Sequence, residues 1–181
     1  MVVVDQFIDR TVGRARTFFD QGVACHVAFA DPICPALANA LADAAETSGA
    51  SVVRGGTYIC IEGPQFSTRA ESELFRSWGA SVIGMTNLPE SRLAREAELP
   101  YATLALVTDY DCWHTEHDDV TVDQIIKTLK ANVSNAKQSL VALAKNPPTN
   151  LKSDSPAAGA LKHAVMTVPD HLSQSEWDRI S

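Results

Sequence analysis

Short apolar runs alternate with helix-length amphipathic stretches along most of this chain. Val2, Val3 and Val4 open it as a strand, and residues 5–10 (DQFIDR) read as the loop that leaves it. Pro35 starts a helix with Cys34 or Asp31 near its cap. Leu37, Leu41 and Ala44 or Ala45 recur at helical spacing, alanine favours the helix, and Gly49 ends it. Val52, Val53, Tyr58, Ile59 and Ile61 form a β-rich run, punctuated by Gly55-Gly56 and broken by Gly63-Pro64. Residues 68–78 follow as a helix with Leu74, Phe75 and Trp78 on one face, closed by Gly79. Residues 81–85 are a second short strand. Asn87 and Pro89 begin another helix, with Arg92 and Arg95 outward, that ends at Pro100. Residues 101–108 (YATLALVT) are continuously apolar, as a strand buried on both faces is. A long helix runs from Thr121 or Asp123 to about Lys145, with Val122, Ile125, Ile126, Leu129, Val133, Ala136 and Leu140 as its apolar stripe. Pro147-Pro148 stops it.

Strands alternating with helices at this spacing predict an α/β fold: a mixed, largely parallel central sheet flanked by helices. Residues 1–146 form the domain, and residues 147–181, rich in Ser, Pro and Ala at first, form a linker and tail. The 181 residues suffice for one domain with its own core. A net charge of −7 argues against a nucleic-acid or anionic-membrane partner. No apolar stretch is long enough to cross a bilayer. Cys25, Cys34, Cys60 and Cys112 lie far apart without a CxxC pair and read as free thiols of a cytoplasmic protein.

In parallel sheets, ligands sit at the carboxyl ends of strands. Two polar turns lie there: residues 62–67 and residues 85–87. Asp109 and Asp111 follow the apolar run after Thr108. Two apart on extended chain, they point to one side, and like charges at close range raise one pKa. Such a pair both donates and accepts a proton, which suits a heterocycle with a ring nitrogen and an exocyclic amine. An Asp-rich turn that caps the strand or holds a cation is the plainer alternative. Phe66 is placed to stack on a planar base, or is a core phenylalanine. Ser67 is a candidate helix N-cap, with Glu71 a loose capping-box partner. Thr86 stands where a hydroxyl and free N–H groups hold an anion, or simply caps a helix. Met85 taken alone is core packing, and so is His26 in its apolar setting. Arg10, Arg14 and Arg16 read as a solvated basic loop. Cys112, His114, His117 and Asp118 match no strong metal site, and no metal is expected.

EGPQFSTRAES (62–72), GMTNLPE (84–90) and TDYDCW (108–113), supported by DQFIDRT (5–11), together resemble the purine nucleoside phosphorylase superfamily, and within it the trimeric methylthioadenosine phosphorylase branch. The resemblance implies that phosphate attacks the sugar anomeric carbon as adenine leaves, giving adenine and 5-methylthioribose 1-phosphate. Phosphate is then a co-substrate, and no cofactor is implied. It implies Asp109 at the purine N7 as general acid or hydrogen-bond partner, and Asp111 at the 6-amino group or supporting Asp109. Phe66, Ser67 and Thr108 are implied at the base site, Met85 against the ribose, and Thr86 on phosphate. Val122, Ile125 and Ile126 are implied around a 5′-methylthio group, and His26 at a neighbouring subunit's site in a homotrimer. Phosphorylases of 6-oxopurines carry Asn for the first Asp and Glu after the phenylalanine, so Ser67 and Asp109 favour an aminopurine. Gln65 and Asn87 depart from the family pattern, where Arg and a second Thr are common. The resemblance also implies an N-terminal segment with the first strands, a Gly-rich phosphate loop and an Arg-His pair. The chain is thus expected to be a C-terminal part of such an enzyme, slow on its own. The alternatives are a 6-oxopurine nucleoside or methylthioinosine phosphorylase, and a non-catalytic nucleoside-binding remnant.

Overall fold

The computed structural model describes residues 1–20, 22–114 and 122–175. Two bent double strands organise it. Strand β1 (Val2–Val3) continues past Asp5 as β2 (Gln6–Arg10), and β3 (Val53–Arg54) continues past Gly55-Gly56 as β4 (Thr57–Ile61). β1 lies between β3, parallel to it, and β6 (Leu104–Ala105), antiparallel. β2, β4 and β5 (Ala80–Gly84) form a second, fully parallel sheet in that order. The bend is hydrogen-bonded across: Asp5 N–H donates to the Gly56 carbonyl at 3.1 Å, and Gly55 N–H to that of Val3 at 2.8 Å. Gly56, at φ 126°, has no room for a side chain, since a Cβ would stand 2.9 Å from Ser81 Oγ.

DQFIDR is therefore a strand and not the expected loop. Its backbone pairs with β4 from Gln6↔Thr57 to Arg10↔Ile61, and the Phe7 ring meets Tyr58 edge-on at 6.2 Å. Its polar ends, Gln6 and Arg10, remain exposed, as suits a strand paired on one side among the described residues. The run 101–108 is also corrected: only Leu104–Ala105 is ladder, because its neighbour β1 is itself two residues long, and Val107 is exposed.

Val4, Tyr58, Cys60, Leu88 and Ala105 form the core between strands and helices. Helix α1 (Pro35–Thr47) has Cys34 at its N-cap and buries Leu41, Ala42, Ala44 and Ala45. Helix α2 (Arg69–Ser77) begins one residue later than a Ser67 cap requires. Thr68 is the cap: its hydroxyl accepts the Glu71 N–H, and Glu71 accepts the Thr68 N–H at 2.7 Å, a complete capping box. Phe75 is buried, whereas Leu74 and Trp78 are exposed. In helix α3 (Asn87–Glu96) Arg95 is buried, not outward, with its guanidinium on the Ala28 and Asp31 carbonyls and over the Phe29 ring. Carbonyls that a folded loop leaves without partners recruit such a side chain.

Helix α4 (Val122–Lys145) packs on α1, yet four residues of its apolar stripe, Ile126, Leu129, Val133 and Leu140, are exposed. Among its described side chains Ser139 is buried, and Asn135, Ala136, Ala142 and Leu143 around it are half-buried. Residues 147–175 do not hang free as a linker would. Ser155, Ala157 and Ala164 are buried, Cys25 bridges to Val165, and Ala24 N–H donates to Thr167 Oγ1 at 2.9 Å. All four cysteines are free, and among the described residues no helix is long and apolar enough to cross a membrane.

Candidate active site

β4 and β5 run parallel with Cys60 opposite Gly84, so their carboxyl ends emerge side by side. The turn 62–67 leaves β4 and the turn 85–86 leaves β5. They touch: a Cβ on Gly63 would lie 2.6 Å from Met85 Sδ. Gly84 is equally constrained, for a Cβ there would stand 1.9 Å from the Tyr58 hydroxyl. Through that gap Tyr58 reaches Thr86, with hydroxyl to hydroxyl 3.3 Å. Thr86 holds the N-cap position of α3, yet its hydroxyl makes no cap hydrogen bond and its side chain is exposed. Plain capping is thus not its role; the backbone leaves helical geometry at Leu88, just beyond it.

The loop 108–114 joins the first turn through one face of α2. Ser72 Oγ donates to Asp111 Oδ2 at 2.5 Å, Arg69 donates to the Cys112 carbonyl, and the Arg76 guanidinium lies 3.8 Å over the Trp113 ring. Residues 69, 72 and 76 share a helix face by their spacing. Cys112 Sγ adds a contact of 3.6 Å to the Ser67 carbonyl. The two aspartates do not lean together at the end of an extended strand, because the ladder stops at Ala105 and they fall in the loop beyond it. Asp111 is engaged on both oxygens, by Ser72 and by the Cys112 N–H at 2.9 Å. Asp109 is exposed, and its Oδ1 accepts only a local hydrogen bond of 2.5 Å from Thr108. Phe66 is 87 % exposed, so it is not a core phenylalanine. The Ser67 hydroxyl is buried and has no hydrogen-bond partner among the described residues.

The structure thus brings together Phe66, Ser67, Met85, Thr86, Thr108, Asp109 and Asp111 at linked turns. Among the described residues no contact brings His26 to them: its side chain is exposed, and its main-chain N–H donates to the Ala164 carbonyl at 2.8 Å. Ile126 is exposed on the first turns of α4, while the side chains of Val122 and Ile125 lie outside the described residues, as do His117 and Asp118. Asn87, one departure from the family pattern, is buried, and its Oδ1 accepts from the Thr103 hydroxyl at 2.9 Å and that of Tyr101 at 3.2 Å. A cleft of about 550 Å³ opens elsewhere, at the strand bend beside α1, and none of these site residues lines it.

Sequence reasoning missed Ser72, Arg69 and Arg76, although polar residues at helical spacing mark a helix with a polar inward face. It also misread Arg14. That guanidinium is not solvated: it donates to the Met85 carbonyl at 2.8 Å, the Leu88 carbonyl at 2.5 Å and the Glu62 carbonyl at 3.0 Å. Glu62 in turn accepts the Val12 N–H at 2.7 Å, and that bond, with Arg14 adding to it, holds the Glu62 carboxyl below its ordinary range.

The fold is α/β, with linked strand-end turns and an aspartate loop gathered at the carboxyl ends of two parallel strands. The chain belongs to the phosphorylase superfamily, whose family model matches residues 1–145. It is 53 % identical over 187 residues to the S-methyl-5′-thioadenosine phosphorylase of Thermosynechococcus vestitus, covering 99 % of this chain and 63 % of that protein. It is 55 % identical over 168 residues to the protein of that name from Geobacter sulfurreducens, covering 92 % of this chain and 58 % of that one. The chain thus spans about three-fifths of the length of the curated relatives it matches. Among solved structures it resembles a methylthioadenosine phosphorylase from an antarctic soil metagenomic library, with a TM-score of 0.85 and 45 % identity over 99 % of this chain and 63 % of that one. It also resembles the methylthioadenosine phosphorylase of Schistosoma mansoni in complex with adenine, with a TM-score of 0.78 and 30 % identity over 91 % of this chain and 66 % of that one.

Proposed function

We propose that this site cleaves S-methyl-5′-thioadenosine with phosphate, releasing adenine and 5-methylthioribose 1-phosphate. A phosphate oxygen attacks the anomeric carbon, the bond from that carbon to N9 breaks, and the electron pair passes into the purine. A proton reaches N7 through Asp109, whose exposed carboxyl has only Thr108 to satisfy it. Asp111, immobilised by Ser72 and the Cys112 N–H, accepts from the 6-amino group. Phe66 stacks on the base, and Ser67 supplies the hydroxyl that lacks a partner. Met85 packs against the ribose and Thr86 binds phosphate. Val122, Ile125 and Ile126 take the 5′-methylthio group, and His26 reaches a neighbouring subunit of a homotrimer. The protein then acts in purine and methionine salvage in the cytoplasm, with phosphate as co-substrate and no cofactor or metal.

The observation that carries this reading is the clasp of α2 on the aspartate loop, which ties the Asp109–Asp111 segment to the Phe66–Ser67 turn. The sequence identity to the phosphorylases named above supports the substrate. Asp109→Asn is expected to lower kcat for adenine release about 10²- to 10⁴-fold, the range of a lost general acid. Steady-state kinetics on methylthioadenosine check it, and an unchanged kcat removes Asp109 from the chemistry.

A further inference from the structure

We propose that Arg14 is a positioning residue that sets the spacing between the base turn and the phosphate turn, an inference that rests on the reaction proposed above. Its guanidinium spans both turns. Nη1 donates to the carbonyls of Met85, at 2.8 Å, and Leu88, at 2.5 Å, on the β5 side. Nη2 donates to those of Glu62, at 3.0 Å, and Ile61, at 3.4 Å, on the β4 side. Nε faces Glu62 Oε1 at 3.5 Å, which orients the plane. The side chain is 21 % exposed, so these bonds are partly shielded from water. The four acceptors are main-chain carbonyls: Ile61 ends β4, Glu62 and Met85 stand just past the ends of β4 and β5, and Leu88 opens α3. A planar fork with five N–H groups meets them from one centre; a lysine ammonium, with three donors on one atom, does not. The same turns carry Phe66 and Ser67 on one side and Met85 and Thr86 on the other. Arg14 therefore fixes the distance between the base, held at the turn of Phe66 and Ser67, and phosphate, held at the turn of Thr86, while touching neither. Each of these two groups keeps its own turn, so binding suffers less than alignment.

Amide hydrogen exchange on the full chain, in wild type and Arg14→Lys, tests this together with steady-state phosphorolysis. Amides in 62–67 and 85–88 are expected to exchange about tenfold faster in Arg14→Lys, with 58–60 unchanged. The accompanying kcat is expected to fall about a hundredfold, with KM for the nucleoside within about threefold. Unchanged exchange in the two turns overturns the proposal, as does acceleration throughout the chain, which is the mark of a merely structural arginine. A KM that rises as far as kcat falls also overturns it. Should Arg14→Lys not fold, Glu62→Gln weakens the Nε anchor along with the Val12 N–H bond, and the same two turns are expected to loosen by a smaller factor; unchanged turns there overturn the proposal too. If the wild type releases no adenine, the proposed reaction fails, whereas the exchange still decides whether Arg14 couples the turns.

Discussion

Tyr58 meets Thr86 only because Gly84 carries no side chain, and contacts of this kind set the chemistry residue by residue. The aspartates show how far single residues can be read from sequence. Their acidity and their place after an apolar run are legible in the sequence, but the difference in their hydrogen bonding depends on Ser72, a residue on another element. Arg14 reads as solvated in the sequence because its partners are carbonyls, which have no sequence signature. Asp9 gives a prediction at this scale. Burial alone raises its pKa, but the Thr11 hydroxyl and amide, at 2.6 and 2.8 Å, and Arg92, at 3.0 Å, outweigh it and hold the carboxyl below its ordinary 3.8. A depressed folded pKa means that the ionised form stabilises the fold above the ordinary value, and that this contribution is lost as pH falls through the folded value. Denaturation curves from about pH 6 to about pH 2 are expected to fall less steeply at the acid end in Asp9→Asn than in wild type. Parallel curves would show that Asp9 is not linked to folding.

Elements were readable wherever periodicity and burial coincide. The helices α1, α2, α3 and α4 and the strands β4 and β5 all fall close to their expected places. The failures share a cause: each depended on a partner. β2 is polar at both ends and becomes a strand because β4 lies beside it. The apolar stripe of α4 predicts a buried face, yet Ile126, Leu129, Val133 and Leu140 are exposed while Ser139 is buried. The start of α2 slipped by one position because Thr68 and Glu71 have capping-box spacing, and Ser67 and Glu71 do not. Thr68→Ala is expected to cost about 1 kcal/mol of stability, as loss of an N-cap does, measured by urea denaturation. Because α2 carries the clasp on the aspartate loop, the same variant is expected to lose some activity. A cost near zero would mean that the loop, rather than the cap, holds the helix start.

At the scale of the whole molecule, two parallel strand ends, one clasped loop and one bridging arginine converge on a single region. The family follows from the match over residues 1–145. The measurement that tests the account most directly is base release by this chain from methylthioadenosine, adenosine and inosine, each with and without phosphate. Adenine binding by calorimetry is run beside it. The account predicts adenine release from methylthioadenosine that requires phosphate, however slow, and little or no hypoxanthine from inosine. Release that ignores phosphate, a preference for inosine, or silence on all three together with no adenine binding would contradict it.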